Sequence, residues 1–283
     1  MRTKRQLDDP RALRDQASGA VIFVLAATGP DPRPLPGPAL VALLDALGVT
    51  EVTARATILR MRRAGWLTSE RRGPVVEYRL TEPAKALAAS VLVPLVGPRP
   101  AWTGSFQGLL FSVPESNRGY RDALRRAATV AGFGLLQGGL LIVVDSWRWE
   151  RIQPLIDRAP VASRLIRTEL RFSVDDARTV ATAAWPLETL AATYRQQAAD
   201  VMRLVDGFRA TAPTGAEAVR LMWEAMSRLS TTAIDDPALP AELLPADWPT
   251  VQVEAALEAV GKVVGPRIAA FIDERVAAAG EGR

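Results

Sequence analysis

Residues 48–81 read GVTEVTARATILRMRRAGWLTSERRGPVVEYRLT. Thr50 is placed to cap a helix, and Glu51 follows it where a negative side chain suits the positive helix N-terminus. Inside that helix Ala54, Ile58 and Met61 recur at i, i+4 and i+7, which predicts a buried stripe. The opposite side carries Val52, Thr53, Ala56, Arg60 and Arg63, with Arg55 and Arg62 flanking it. Gly65 ends the helix and Trp66-Leu67 return to the core. Thr68 to Thr81 then reads as a hairpin, with Val76, Tyr78 and Leu80 alternating with Glu77 and Arg79. Its tip, Arg71-Arg72-Gly73-Pro74, is a basic turn.

Upstream, Ser18 is placed to cap a helix running to about Thr28 and ended by Gly29-Pro30. Prolines at 30, 32, 34, 36 and 38 forbid helix and favour an extended connector. A second helix follows from Ala39 to Leu47, with Leu40, Leu43, Leu44 and Leu47 on one face and Gly48 just past its end. Three helices and a basic-tipped hairpin make a winged helix-turn-helix over residues 18–90, behind an N-terminal arm, residues 1–17, expected to be flexible. Small residues early in the third helix, followed by arginines, suit entry into a major groove. Thr53, Ala56 and Arg60 are expected at base edges. Arg55, Arg63, Arg71 and Arg72 are expected to neutralise phosphate.

The charge distribution agrees. The chain has 283 residues, enough for two or three domains, and a net charge of +4. Its first 85 residues carry 14 Lys and Arg against 9 Asp and Glu, a net of +5, while the remaining residues carry 21 against 22. A basic segment on a near-neutral body is the electrostatic footprint of a nucleic-acid-binding module. There is no Cys and no His. That excludes a disulfide framework, a thiol nucleophile, a zinc cluster, a Ser-His triad and an imidazole base. No catalytic residues, metal site or cofactor are expected.

After a proline-punctuated linker, residues 91–101, the order becomes strand (Phe106–Val113), helix (Asn117–Ala131) and strand (Phe133–Leu136). Strand (Leu140–Val144), helix (Trp147–Arg158) and strand (Arg164–Phe172) complete it. This βαββαβ order predicts a ferredoxin-like domain over 102–174. Gly132-Phe-Gly134 with Gly138-Gly139 imitates a dinucleotide fingerprint but follows a helix, so these glycines read as turns. Trp147 and Trp149 read as packing residues. Residues 175–283 form a helical C-terminal domain, giving an α+β multidomain protein. Its helices are expected from Trp185-Pro186 to about Val205, from Gly215 to about Arg228, and from Val251 to about Ala279. Gly265-Pro266 is where the last would break. The helical faces suit dimer contacts or an effector pocket.

Basic residues 1–14 followed by apolar Ala20–Ala27 imitate a secretory signal, but Asp8, Asp9 and Asp15 argue against one. No stretch supplies the about 20 apolar residues of a spanning helix. A cytoplasmic protein without membrane contact is expected.

The chain resembles the PaaX-like family of bacterial transcriptional repressors. Gly48-Val-Thr-Glu…Arg55…Arg60-Met61…Gly65-Trp66-Leu67 is similar to that family's recognition helix. Trp102, Phe111-Ser-Val-Pro-Glu115 and Gly132-Phe-Gly134 resemble its central domain. Trp185-Pro-Leu-Glu…Leu190…Tyr194 and the more specific Asp236-Pro-Ala-Leu-Pro-Ala-Glu-Leu-Leu-Pro-Ala-Asp-Trp248 resemble its C-terminal signatures. The resemblance covers nearly the whole chain after Ser18 and places Ala20–Ala27 on the first helix of the winged domain. It implies a homodimer on a palindromic double-stranded DNA operator, released by a small-molecule effector, an aryl-acyl-CoA in the family's best-known cases. The chain departs from the family at Val52 and Leu59, where more polar residues are expected, and at Trp223, where His is common. Two competing readings stand. One is a metal-dependent nuclease of the CRISPR-associated ferredoxin-like type, although Ser112 occupies the position where such enzymes carry an Asp. The other is an interaction scaffold without DNA binding.

Overall fold

Leu40, Leu43 and Leu44, spaced to share one face, are fully buried on helix α2 (Gly37–Ala46). They sit in the first of two compact units of a computed structural model that describes residues 15–27, 33–211 and 213–281. The first unit takes the chain up to residue 96 together with 194–234 and the stretch from 250 onward; the second takes 97–193 and 235–249. Residues 1–14, most of the expected arm, lie outside the described residues, as do Pro30 and Pro32.

The first unit begins with α1 (Gln16–Ala26). Its N-cap is Asp15, not Ser18, whose side chain is drawn inside the helix. Asp15 accepts hydrogen bonds from both the Ser18 backbone N–H (3.3 Å) and the Ser18 hydroxyl (2.6 Å). Both residues are cap formers three positions apart, and the charged one wins the position facing the orphan N–H groups. The proline connector ends in a two-residue strand, β1 (Leu35–Pro36), antiparallel to β3 (Val75–Leu80). α2 stops at Gly48, whose φ of +81° is costly for any side chain with a Cβ. α3 (Glu51–Arg63) follows, then the hairpin β2 (Leu67–Arg72) and β3, giving a sheet of order β1-β3-β2. α4 (Glu82–Val96) extends to Val96, into the stretch expected to be linker.

The helical residues 194–209 and two further helices complete this unit. α9 (Gly215–Ala233) starts with a capping box in which Thr214 and Glu217 satisfy each other's backbone N–H groups. α10 (Thr250–Glu281) passes through Gly265-Pro266 without breaking. Ala256, Val260, Val264, Ile268 and Ile272 form one buried i, i+4 stripe along it. Packing on both sides of the proline therefore outweighs its cost of about 3 kcal/mol. The guanidinium of Arg220 on α9 donates to the Ala46 carbonyl through Nε and Nη2, 3.2 Å each, and so closes the C-terminal end of α2. Arg33 is ion-paired to Asp273 of α10.

The second unit shows the strand and helix order read from the sequence: β4 (Ser105–Ser112), α5 (Arg118–Val130), β5 (Gly134–Gln137), β6 (Leu140–Val143), α6 (Trp149–Ile156) and β7 (Arg164–Arg171). They form a four-stranded antiparallel sheet of order β5-β6-β4-β7. Leu109, Phe111, Leu141 and Val143 face α5 and α6 through Leu124, Ala128 and Ile152. Phe106 and Ile142, on the other face, pack with Ala177 and Ala181 of α7 (Val174–Ala184). Trp185 and Leu187, where α8 (Leu187–Arg209) starts, and Leu239 and Leu243 join that second core. Trp149 is packed edge-on against Phe133, as expected. Trp147 is instead half exposed beneath the guanidinium groups of Arg148 and Arg151. Gly132 is a turn glycine: its φ is +89°, and a Cβ there would meet Arg148 Nη1 at 1.9 Å.

Two buried arginines knit this unit. Arg148 donates to Asp145 Oδ2 (3.2 Å), the Ala131 carbonyl (3.1 Å) and the Pro237 carbonyl (3.1 Å). Arg99 pairs with fully buried Asp236 at 2.9 Å, and Asp236 also accepts the backbone N–H of Ala238 (2.7 Å). This explains why the string 236–248 begins with Asp. Replacing Asp236 by Ala removes the buried carboxylate from this pair, and breaking a buried ion pair costs about 3–5 kcal/mol. Asp236→Ala should lower the urea midpoint accordingly, and a near-neutral result would remove the pair from the forces holding this unit.

Candidate nucleic-acid interface

The orientation of α3 follows from which of its residues are apolar. Ala54, Ile58 and Met61 are buried as the spacing predicts, joined by Thr57, whose methyl group lets it share the stripe. Thr50 caps the helix: its Oγ1 accepts the Thr53 N–H at 3.4 Å and donates to the Thr53 hydroxyl at 3.0 Å. With the stripe facing inward, Thr53, Arg55, Ala56, Arg60 and Arg63 are all exposed. Arg71 and Arg72 are exposed at the hairpin tip, where Gly73-Pro74 link β2 to β3. A cleft of about 350 Å³ lies between α3 and the hairpin, with Arg55, Leu59 and Arg62 on one wall and Val76 and Tyr78 on the other. All seven expected residues are thus exposed on the first unit, with Arg55 turned to the hairpin cleft and Arg60 to the start of α1.

Their electrostatic states differ. Arg55 binds Glu51 one turn back through Nη2 (2.7 Å) and Nε (2.8 Å). Arg60 Nη2 reaches Asp15 Oδ2 at 2.7 Å and the Ser18 hydroxyl at 3.0 Å, so this arginine is tethered to the start of α1. Arg71 Nε donates to the Gly73 carbonyl (3.2 Å), and Arg72 Nε lies 3.5 Å from Glu77. The side chains of Arg62 and Arg63 make no hydrogen bond or ion pair among the described residues. Sequence reasoning left out Arg79, which is exposed on β3 and paired with Glu70 at 3.2 Å, although its place in the hairpin alternation pointed outward. It also missed the Asp15 tether, for which only the Asp-x-x-Ser spacing gave a signal. Val52 is 80% exposed at the start of α3, an unusual setting for a large aliphatic side chain.

Among the described residues no three His, Cys, Asp or Glu side chains are grouped to hold a metal ion, and no helix is long and apolar enough to cross a membrane. Ser112, at the end of β4, is exposed and stands opposite Arg164 of β7.

Residues 17–84 match the model of PaaX-like proteins, 99–180 that of the PaaX protein central Cas2-like domain, and 185–274 that of the PaaX-like protein C-terminal domain. The chain belongs to the PaaX-like family. It is 26% identical over 243 residues to the transcriptional repressor PaaX of Escherichia coli K12, covering 83% of this chain and 76% of that one. In fold it is similar to the uncharacterized protein Rv0674 from Mycobacterium tuberculosis, with a TM-score of 0.54, 24% identity, and coverage of 93% of this chain and 98% of that chain.

The Asp15 tether has a pH signature. The hydrogen bond from the Ser18 hydroxyl, followed by the Arg60 guanidinium, holds the Asp15 carboxyl below its ordinary value of 3.8, against a smaller opposing effect of partial burial. Its stabilisation is therefore complete above that value and is lost as pH falls through the lower folded-state value. For a largely exposed pair the contribution is about 0.2–1 kcal/mol. Asp15→Asn should destabilise the protein by that amount at pH 7 and by progressively less below pH 3.8, read from paired urea titrations. A deficit that persists undiminished in acid would show that the carboxylate charge is not what matters.

Proposed function

We propose that this protein is a sequence-specific DNA-binding transcriptional repressor of a catabolic pathway. It acts as a homodimer on a palindromic operator and is released by a small-molecule effector. One observation carries the reading: the exposed face of α3 and the adjoining hairpin tip present arginines on one side of a unit whose opposite helix faces are apolar and buried. Residues 18–90 act in it as a winged helix-turn-helix, with α3 as recognition helix and the hairpin as wing. The 26%-identical E. coli relative, named a transcriptional repressor, supports the regulatory role. The family resemblance supplies the effector class, aryl-acyl-CoA thioesters.

α3 enters a major groove, and its dimer mate enters another about 34 Å away or a multiple of it. Thr53, Ala56 and Arg60 read base edges. Arg60 does so by exchanging Asp15 for guanine or phosphate, a cheap exchange because an exposed ion pair is weak. Exposed Val52 fits contact with a thymine methyl group, which would make its departure from a polar residue part of the operator code. Arg55, Arg63, Arg71 and Arg72 neutralise phosphate.

Each phosphate neutralised adds about 0.9 to the slope of log K against log salt. Replacing Arg71 and Arg72 together by Ala should weaken binding to all DNA sequences alike and flatten that slope by about two units. The measurement is a salt series of fluorescence-anisotropy titrations on the protein's own upstream DNA and on an unrelated duplex. An unchanged slope would remove the hairpin tip from the interface.

A further inference from the structure

α1 is apolar on nearly every side: Gly19, Ala20, Val21, Ile22, Val24 and Leu25 are all buried. One side of it packs on α2 and α3. The other faces α9 and α10, where it borders a cavity of about 710 Å³. Phe23 of α1 stands against Trp223 of α9 with ring centroids 5.3 Å apart, tilted by 54°. Met226 of α9 and Ile268 of α10 supply further apolar wall. The volume is that of a small-molecule site, whose usual range is about 300–1,000 Å³.

The lining chemistry narrows the occupant. Every residue that borders the cavity is uncharged at any physiological pH; its polar members are Gln16, three hydroxyl residues on α9 and backbone. A ligand charge inside it would find no counter-ion, and burying an unpaired charge is strongly disfavoured. Aromatic walls and the lack of any ionisable group favour an uncharged aromatic molecule.

We infer that the cavity between α1, α9 and α10 is the binding site of such an uncharged aromatic ligand, and that its occupancy weakens DNA binding. The second half rests on the repressor reading above. The route is short. α1 forms one wall, and its N-terminal Asp15 and Ser18 hold Arg60 of α3. A ligand wedged between Phe23 and Trp223 displaces α1 relative to α9 and so shifts the helix on which α3 rests. The phosphates of any thioester conjugate would have to remain outside the cavity, with only the acyl group within.

A matched pair of fluorescent probes tests this on the full-length protein: neutral N-phenyl-1-naphthylamine and its anionic analogue 8-anilinonaphthalene-1-sulfonate. The neutral probe should bind saturably at a single site per chain and the sulfonate about tenfold or more weaker. Ala269 is an exposed helical residue on the cavity rim, so Ala269→Trp fills the opening with little risk to folding. Ala26→Phe does the same from α1. Either should weaken the neutral probe by about tenfold or more with the melting temperature preserved. Saturating probe should also weaken retention of the protein's upstream DNA by about tenfold, and not in the filled variants. Absence of saturable binding, or binding that both variants leave unchanged, overturns the site. Equal affinity for the sulfonate overturns the ligand class. Probe binding without any change in DNA retention overturns the coupling through α1. If no DNA is retained under any condition while the probe still binds and is lost in the variants, the repressor reading fails and the cavity stands.

Discussion

The first unit depends on the burial of α1. Eleven residues, QASGAVIFVLA, carry no charge and no wholly polar face. A helix of this kind is stable in water only when covered all round, because its length is marginal for isolated helix formation. α2 and α3 cover one side and the helices contributed by residues 194–234 and 250–281 cover the other. α3 therefore rests on a part whose far side belongs to chain more than 190 residues downstream. The same composition makes residues 20–27 imitate a secretory signal: both are solutions to having apolar surface on every side.

The second unit adds a different kind of force. Its two cores lie on opposite faces of one sheet, and the turn-rich segment 235–249 packs into one of them through Leu239, Leu243 and Leu244. Buried arginines fix the polar groups of the same segment. Arg148 takes carbonyls from Ala131 and Pro237, and Arg99 takes the Asp236 carboxylate and the Leu239 carbonyl. Each guanidinium has several fixed donors, so it can bind segments distant in sequence in only one arrangement. Such pairs contribute more to specifying where a segment sits than to net stability, since their desolvation offsets much of the attraction.

Local order was legible where one physical rule acted alone. The period of Ala54, Ile58 and Met61 oriented α3, and alternating strand and helix patterns gave the order of the second unit. What escaped involved competition or distance. Asp15 and Ser18 both qualify as caps, and only the folded helix shows which one takes the role. Pro266 signals a break, yet a buried stripe on both sides overrides it. The Arg60 tether joins positions 45 residues apart, and the cavity joins α1 to residues near 223 and 268. No periodicity reports contacts of that range. Trp223 stood out in the sequence only as a departure from its family, and its ring, tilted against that of Phe23, gives that departure a place.

The arginines of the candidate interface are mostly occupied, and that state suits a DNA-binding surface better than free side chains would. Arg55, Arg60, Arg72 and Arg79 each rest on a carboxylate of the same unit. An exposed pair of this kind is worth about 0.2–1 kcal/mol, so a phosphate or a guanine edge competes with it easily. Meanwhile the pair limits the rotamers of a side chain that otherwise loses up to about 2 kcal/mol of conformational freedom when it is fixed. On the repressor reading proposed above, part of the ordering is thus complete before DNA arrives. The carboxylates also lower the local positive potential, which on that reading weakens adhesion to arbitrary DNA more than to a site where Thr53, Ala56 and Val52 add contacts of their own. The side chains of Arg62 and Arg63, unpaired among the described residues, would then supply attraction at long range while the paired arginines favour a matched operator.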